Sequence, residues 1–204
     1  TTASNNVAVG QSALSLNTTG ANNTGVGTSA LAANTTGDDN ASFGHGSLLA
    51  NTTGFQNTAV GRAAMDSNTT GSLNASLGYT SLQKNTTGTN NTGLGHGALR
   101  ANTTASNNTA VGYQSLFANT TGAGNTAMGA VAGLSVTTGS NNSLFGYGAG
   151  DAITTGASNV SIGAFSLSSA TTASSNTAIG TSTLTSNTTG TENVAVGSTA
   201  GDAL

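Results

Sequence analysis

Written in rows of 17, the chain falls into register along its whole length: twelve rows account for all 204 residues with no insertion and no deletion. A period this short and strict restricts the chain to a solenoid, in which each repeat is one coil and buries its apolar side only against its neighbours. The organising stretch is Asn-Thr-Thr-Gly-x-x-Asn followed by x-x-apolar-Gly, seen at Asn17 to Gly27, Asn51 to Gly61, Asn85 to Gly95 and Asn187 to Gly197.

The columns of this register carry the argument. Columns 1 and 2 are Thr in every row, from Thr1 and Thr2 to Thr188 and Thr189. Column 6 is always Asn, including Asn6, Asn23, Asn57, Asn91, Asn108 and Asn176, and column 10 is always Gly, including Gly10, Gly27, Gly61 and Gly112. These two columns are the candidate structural ladder. Stacked Asn side chains hydrogen-bond from coil to coil, and Gly supplies a backbone angle or a close approach that other residues resist.

Columns 6 to 10 alternate in the manner of a strand, as in Asn6-Val7-Ala8-Val9-Gly10, and columns 12 to 16 repeat the pattern in Ser12-Ala13-Leu14-Ser15-Leu16. The expectation is an all-β fold: a parallel β-solenoid, or β-roll, of twelve 17-residue coils with two short strands per coil. Gly, Asn and Thr dominate and no apolar stripe recurs every 3.6 residues, which excludes helix. Residues 1–204 form a single repeat array. The first row is an ordinary repeat and the last departs only mildly, so the array is expected to be a segment of a longer fibre protein.

Column 9 is always a large apolar residue and column 14 is Leu or Met in nine rows. The expected core therefore comprises Val9, Val26, Phe43 and Val60 facing Leu14, Leu31 and Leu48, with columns 7, 12 and 16 as smaller neighbours. Gly150 of column 14 shares a row with Phe145, and Gly133 with Met128, which reads as size compensation between columns 9 and 14. Column 8 is small nearly everywhere, and Ala8, Gly25, Ser42, Ala59 and Ala110 are expected to point outward as an inter-chain face. Column 15, with Asp66, Gln83, Arg100, Asp151, Thr185 and Asp202, reads as a solvated face.

Composition removes most other functions. Three Lys and Arg residues against six Asp and Glu leave a net charge of −3, too little cation for binding nucleic-acid phosphates. No apolar window is long enough to span a membrane, so no membrane insertion is expected. No cysteine is present, which suits an extracellular fibre.

No catalytic, cofactor-binding or metal-binding set emerges. His45 and His96 share column 11, but three coils at strand spacing place them about 14 Å apart, too far for one metal. Asp38 and Asp39 read as a solvated turn. Tyr79, Tyr113 and Tyr147 share column 11 at two-coil intervals of about 9–10 Å, the spacing of a rim or a glycan platform. Gly25-x-Gly27 and Gly146-x-Gly148-x-Gly150 lack the strand-to-helix context of a phosphate loop. The Asn-Thr-Thr glycosylation sequons at Asn17, Asn34 and Asn51 arise from the repeat itself.

The unit Asn-x-Ala-Val/Ile-Gly, at Asn6 to Gly10, Asn108 to Gly112 and Asn176 to Gly180, resembles the head repeats of the YadA-like trimeric autotransporter adhesins. The longer form with Asn-Thr-Thr-Gly is similar to repeats of bacteriophage tail fibres. The resemblance spans the whole chain, with a longer repeat and a Thr-Thr-Gly turn as its departures. It implies a left-handed parallel β-roll, three chains about one axis, and a role in attachment at a cell surface or on a virion.

The leading expectation is thus a structural segment of an extracellular homotrimeric fibre, its partner being itself. A cell-surface glycan or receptor would be engaged through regions outside the segment. Two alternatives stand beside it: a single-chain solenoid polymerising end to end, and a Thr-rich ice-binding solenoid. The latter is weakened because adjacent Thr-Thr places only one of the pair on a face, whereas a flat ice-binding array wants Thr-x-Thr along a strand.

Overall fold

The computed structural model describes residues 2–202; Thr1, Ala203 and Leu204 lie outside the described residues. The described chain is all-β, a parallel β-solenoid with one coil per 17 residues and no helix. Its coils group into two compact units, Thr1–Thr104 and Ala105–Leu204. The first holds β1 (Val7–Val9), β2 (Thr24–Val26), β3 (Ala41–Phe43), β4 (Thr58–Val60), β5 (Ala75–Leu77) and β6 (Thr92–Leu94). The second holds β7 (Thr109–Val111), β8 (Thr126–Met128), β9 (Ser143–Phe145), β10 (Val160–Ile162), β11 (Thr177–Ile179) and β12 (Val194–Val196). Within each unit the strands pair in parallel, in chain order, and column meets column: Val9 lies beside Val26, and Ile162 beside Ile179.

Each coil carries one strand, not two. Columns 12 and 14 take left-handed φ values, such as +59° at Ser29 and +53° at Leu31, so columns 12–16 cannot run extended. The side chains give the reason. Ala30 and Leu31 are adjacent and both fully buried, as are Ala98 and Leu99. Neighbours in a strand point to opposite faces, whereas the flip in φ turns both inward. Coil-to-coil hydrogen bonding survives the loss of strand geometry: Leu31 N donates to Ser47 O at 3.1 Å and Ala33 N to Leu49 O at 3.0 Å.

The strand's inward residue is column 8, which corrects the expected orientation. Gly25, Ser42, Ala59 and Ala110 are buried, and only Ala8, in the first coil, is exposed. Column 8 therefore does not form an outward face. It packs against column 13 of the same coil: Ser42 Oγ donates to Ser47 O at 2.9 Å, and Ser76 Oγ and Ser161 Oγ do the same to Ser81 and Ser166.

The core expectation divides accordingly. Leu14, Leu31 and Leu48 are buried, whereas Val9 is 55% and Phe43 41% exposed, and Val26 and Val60 are half-buried. A coil of 17 residues has room inside for one large side chain, from column 14, with small residues from columns 8 and 13 around it. Column 9 stays outside with column 7, and column 16, as at Leu16, is not buried either. The compensation at Gly133 and Gly150 also has different partners. The space left by Gly133 is occupied by Leu144 and Val136, and that left by Gly150 by Leu144 and Ile153, all fully buried.

Two asparagine ladders hold the coils together. In column 6, Asn40 donates through N and Nδ2 to Asn23 Oδ1 at 3.0 and 3.1 Å, and Asn57 repeats the pair onto Asn40. The second unit does likewise from Asn125 to Asn193. In column 17, Asn34, Asn51, Asn68, Asn85 and Asn102 each donate Nδ2 to the preceding Asn Oδ1 at 2.8–2.9 Å. The other Nδ2 hydrogen meets a turn carbonyl, as from Asn51 to Gly54 O at 2.9 Å. Both amide hydrogens are thereby used, which is what burying a carboxamide requires. In the second unit column 17 is Asn at Asn119 and then Val136, Ile153 and Ala170 before Asn187.

Column 10 glycine answers two demands at once. Gly61 has φ +134°, outside the reach of L residues, and a Cβ there would lie 2.5 Å from Gly78 O of the next coil.

Candidate functional site

The outward face of the sheet is the most distinctive surface in each unit. A three-residue strand turns its middle side chain inward and its two ends outward. Columns 7 and 9 therefore stand side by side on the outside, and none of their residues is buried in any coil. Column 9 supplies a file of large apolar groups, among them Leu77 at 52% exposure in the first unit and Met128, Ile162 and Val196 in the second. Column 7 is Thr in six coils, at Thr24, Thr58, Thr92, Thr109, Thr126 and Thr177, and neither column contains a charged residue in any coil.

The face is not smooth. Thr58, Ala75, Leu77, Thr92 and Leu94, with Ser76 and Gly93 beneath, border a shallow hollow of about 230 Å³. The small side chain of Ala75 between Thr58 and Thr92 creates the dip.

Column 11 carries a second feature, on the first unit. Arg62 lies over the Tyr79 ring with its guanidinium carbon 5.6 Å from the centroid, and its Nη1 donates to Tyr79 Oη at 3.1 Å. His96 stacks on the same ring with centroids 5.2 Å apart and planes 19° from parallel. Reading column 11 in consecutive rows shows this Arg-Tyr-His series, which a search for like residues at two- or three-coil intervals passes over. Tyr79 thus has both faces covered by its own chain, which leaves neither as a platform for a sugar ring.

Column 15 contains a polar relay in the same unit. Arg100 Nε donates to Gln83 Oε1 at 3.0 Å, and Gln83 Nε2 donates to Asp66 Oδ2 at 3.0 Å. Ser67 Oγ donates to Asp66 Oδ1 at 2.9 Å. The glutamine lets one carboxylate and one guanidinium, two coils apart, satisfy each other.

Among the described residues, no group of three His, Cys, Asp or Glu side chains is placed to hold a metal ion. No helix among them is long and apolar enough to cross a membrane. His45 and His96 belong to different coils of the first unit, and Asp38 accepts from Ala21 N at 2.7 Å while Asp39 accepts from Asn22 Nδ2 at 3.2 Å.

No protein-family model, curated protein or solved structure matches this chain.

Proposed function

We propose that this chain is a structural segment of an extracellular homotrimeric fibre serving attachment, and that its copies associate through the outward face of columns 7 and 9. The observation that carries this reading is the file of exposed aliphatic and aromatic side chains in column 9. Apolar surface in a continuous file is costly to leave in water, and each such side chain gains up to about 1.5–3 kcal/mol on full burial. A second copy is the occupant that fits. It presents the same 17-residue period, so its file of column 9 side chains recurs at matching intervals, and it brings no charge that burial would strand. Closed cyclic symmetry would then cover the face on every copy. The likeness of Asn-x-Ala-Val/Ile-Gly to adhesin head repeats, and of Asn-Thr-Thr-Gly to tail-fibre repeats, supports three copies and an extracellular setting.

The experiment is the native mass by light scattering over a range of concentrations, for the wild type and for Leu77→Lys. A stable mass three times the 19.4 kDa of the chain, lost in the variant, is the expected result. A monomer at every concentration would refute the trimer, and mass growing without limit would replace it with end-to-end filaments.

A second reading draws on column 7. Thr24-Gly25-Val26, Thr58-Ala59-Val60 and Thr92-Gly93-Leu94 place a hydroxyl and an aliphatic group side by side on one exposed strand face. That is the along-strand spacing an ice-binding array needs and that the adjacent Thr-Thr of columns 1 and 2 lacks. Thermal hysteresis in a monomeric sample would favour it over the fibre.

A further inference from the structure

The two outward columns are matched in size coil by coil. In three coils column 7 is smaller than threonine: Ala41, Ala75 and Ser143. Column 9 in those coils is Phe43, Leu77 and Phe145, and it holds no other Phe. In the remaining nine coils column 7 is Thr or Val, and column 9 is β-branched in seven of them. A bulky end of the strand thus goes with a small end. Nothing within one chain demands this. Side chains two apart on a strand stand roughly 6.6 Å apart. None of these six is buried, and water sets no limit on their combined size.

The hollow on the first unit has the same origin. It lies over Ala75, beside Leu77, and is floored by Ser76 and Gly93. Its volume of about 230 Å³ falls short of the roughly 300–1,000 Å³ of clefts that hold drug-sized ligands. The floor offers a ligand no free donor, since Ser76 Oγ donates to Ser81 O at 2.9 Å. One apolar side chain is the occupant it suits.

Resting on the reading that copies of the chain associate through columns 7 and 9, we infer that they lie parallel and in register. Column 9 of one copy packs onto column 7 of the same coil in the next, and Leu77 of a second copy fills the hollow at Ala75. Symmetry gives the reason. Strands run across the direction in which coils stack. Rotation about an axis along the stack keeps every coil at its own height, and it brings the column 9 end of one strand to the column 7 end of the next. Phe43 then meets Ala41, Leu77 meets Ala75 and Phe145 meets Ser143, each pair between copies and each joining a bulky side chain to a small one. Antiparallel copies would match each coil with a different one away from the dyad, and sizes within a coil would then be unrelated. Neither column holds a charged residue, so these contacts strand no charge. The pairing is the same for two, three or more copies around the axis.

The test is disulfide capture in mixtures of the 204-residue chain, which has no cysteine of its own. Thr58→Cys and Val60→Cys replace side chains of nearly equal size on the outward face of one coil. Refolded together and oxidised, the two variants should give at least about tenfold more covalent pair than Thr58→Cys mixed with Val26→Cys. That control is offset by two coils, about 9.6 Å, beyond the roughly 7 Å between Cα atoms that a disulfide spans. In a second arm, Ala75→Leu fills the hollow and should weaken association about tenfold. Ala75→Leu/Leu77→Ala exchanges the two sizes and should return association to within about threefold of wild type. Native mass is measured on the same samples. A monomeric wild type would refute association through this face, and the register with it. The register alone would be overturned by an oligomer that captures Val26→Cys as well as Val60→Cys, pairs Thr58→Cys with itself, or captures neither. An exchange that restores nothing would overturn it too.

Discussion

Ile153 occupies the space above Gly150: a Cβ on that glycine would lie 2.8 Å from Ile153 Cδ1 and 2.9 Å from Leu144 Cδ2. In most coils the same volume is filled by a column 14 leucine, with a laddered asparagine in column 17. Here the large side chain has moved to columns 8 and 17, and the glycine also relieves the left-handed φ, +58°, that leucine tolerates elsewhere. Gly150→Ala should therefore destabilise the fold by about 1–3 kcal/mol. Combined with Leu144→Ala, which itself empties a fully buried site, the total loss should fall short of the sum of the two single losses, because the emptied space accepts the new methyl. Urea unfolding of the two single variants and the double variant measures the coupling, and strict additivity would contradict it.

Column 10 glycines should differ according to what lies beyond them. Gly61 must avoid Gly78 O and also holds φ +134°, whereas Gly197 holds φ +124° with nothing nearer than Ala200 Cβ at 3.9 Å. Gly61→Ala is expected to cost upwards of about 3 kcal/mol, and Gly197→Ala only the backbone strain of about 1–3 kcal/mol. Thermal melts of the two variants should rank them in that order.

Asn57 is fully buried and uses both Nδ2 hydrogens, on Asn40 Oδ1 at 3.1 Å and on Gly71 O at 2.9 Å. Asn57→Asp replaces two donors with acceptors facing oxygens and adds an unpaired buried charge. The expected loss is about 3–5 kcal/mol near neutral pH. Protonating the introduced carboxyl should lessen the loss, so the penalty measured by denaturant unfolding is expected to shrink on acidification.

Leu77 is half exposed and its side chain points away from the core. Leu77→Lys should leave the stability of the single chain within about 0.5 kcal/mol while abolishing association. Unfolding measured below the association threshold separates the two effects. A large loss there would assign Leu77 to the core instead.

Asp151 should make stability depend on pH in the opposite sense to a salt-bridged carboxylate. Its folded pKa is raised above 3.8 by burial, so the folded chain holds this proton more tightly than the unfolded chain. Between the unfolded and the folded value, the unfolded state binds fewer protons, and this group's contribution to stability falls as pH rises. It is most favourable below the ordinary carboxylate range and lost above the folded value. No cation in residues 105–204 counters it. Asp151→Asn should therefore stabilise the fold at neutral pH and make little difference well below pH 3.8, read from melting temperatures across that range.

Period, class and the strand of columns 7–9 were legible in the sequence because they depend on local chemistry repeated every 17 residues. The second strand expected in columns 12–16 is absent because columns 12 and 14 are left-handed. Asn in column 6 and Gly in column 10 bracket the one strand, and the ladder at Asn6, Asn23 and Asn57 follows from stacking like on like. Which side of that strand faces inward was not legible from residue size. Large apolar residues are ordinarily the buried ones, yet Val9 and Phe43 lie outside while Ala59 and Ala110 lie within. Two pairings in the sequence acquire meaning once the structure shows that column 8 meets column 13 and column 14 meets column 17. Ser occupies column 8 only where column 13 is also Ser, at Ser42 and Ser47, Ser76 and Ser81, and Ser161 and Ser166. Gly in column 14 accompanies an aliphatic residue in column 17, at Gly133 and Val136 and at Gly150 and Ile153. The sequence by itself thus determined a solenoid and its repeat. Only the tertiary structure decided its inside and outside, because the volume enclosed by a coil is a property of the closed backbone. Left-handed residues in columns 12 and 14 close that backbone so tightly that one leucine fills it, and the remaining apolar side chains are left on the surface.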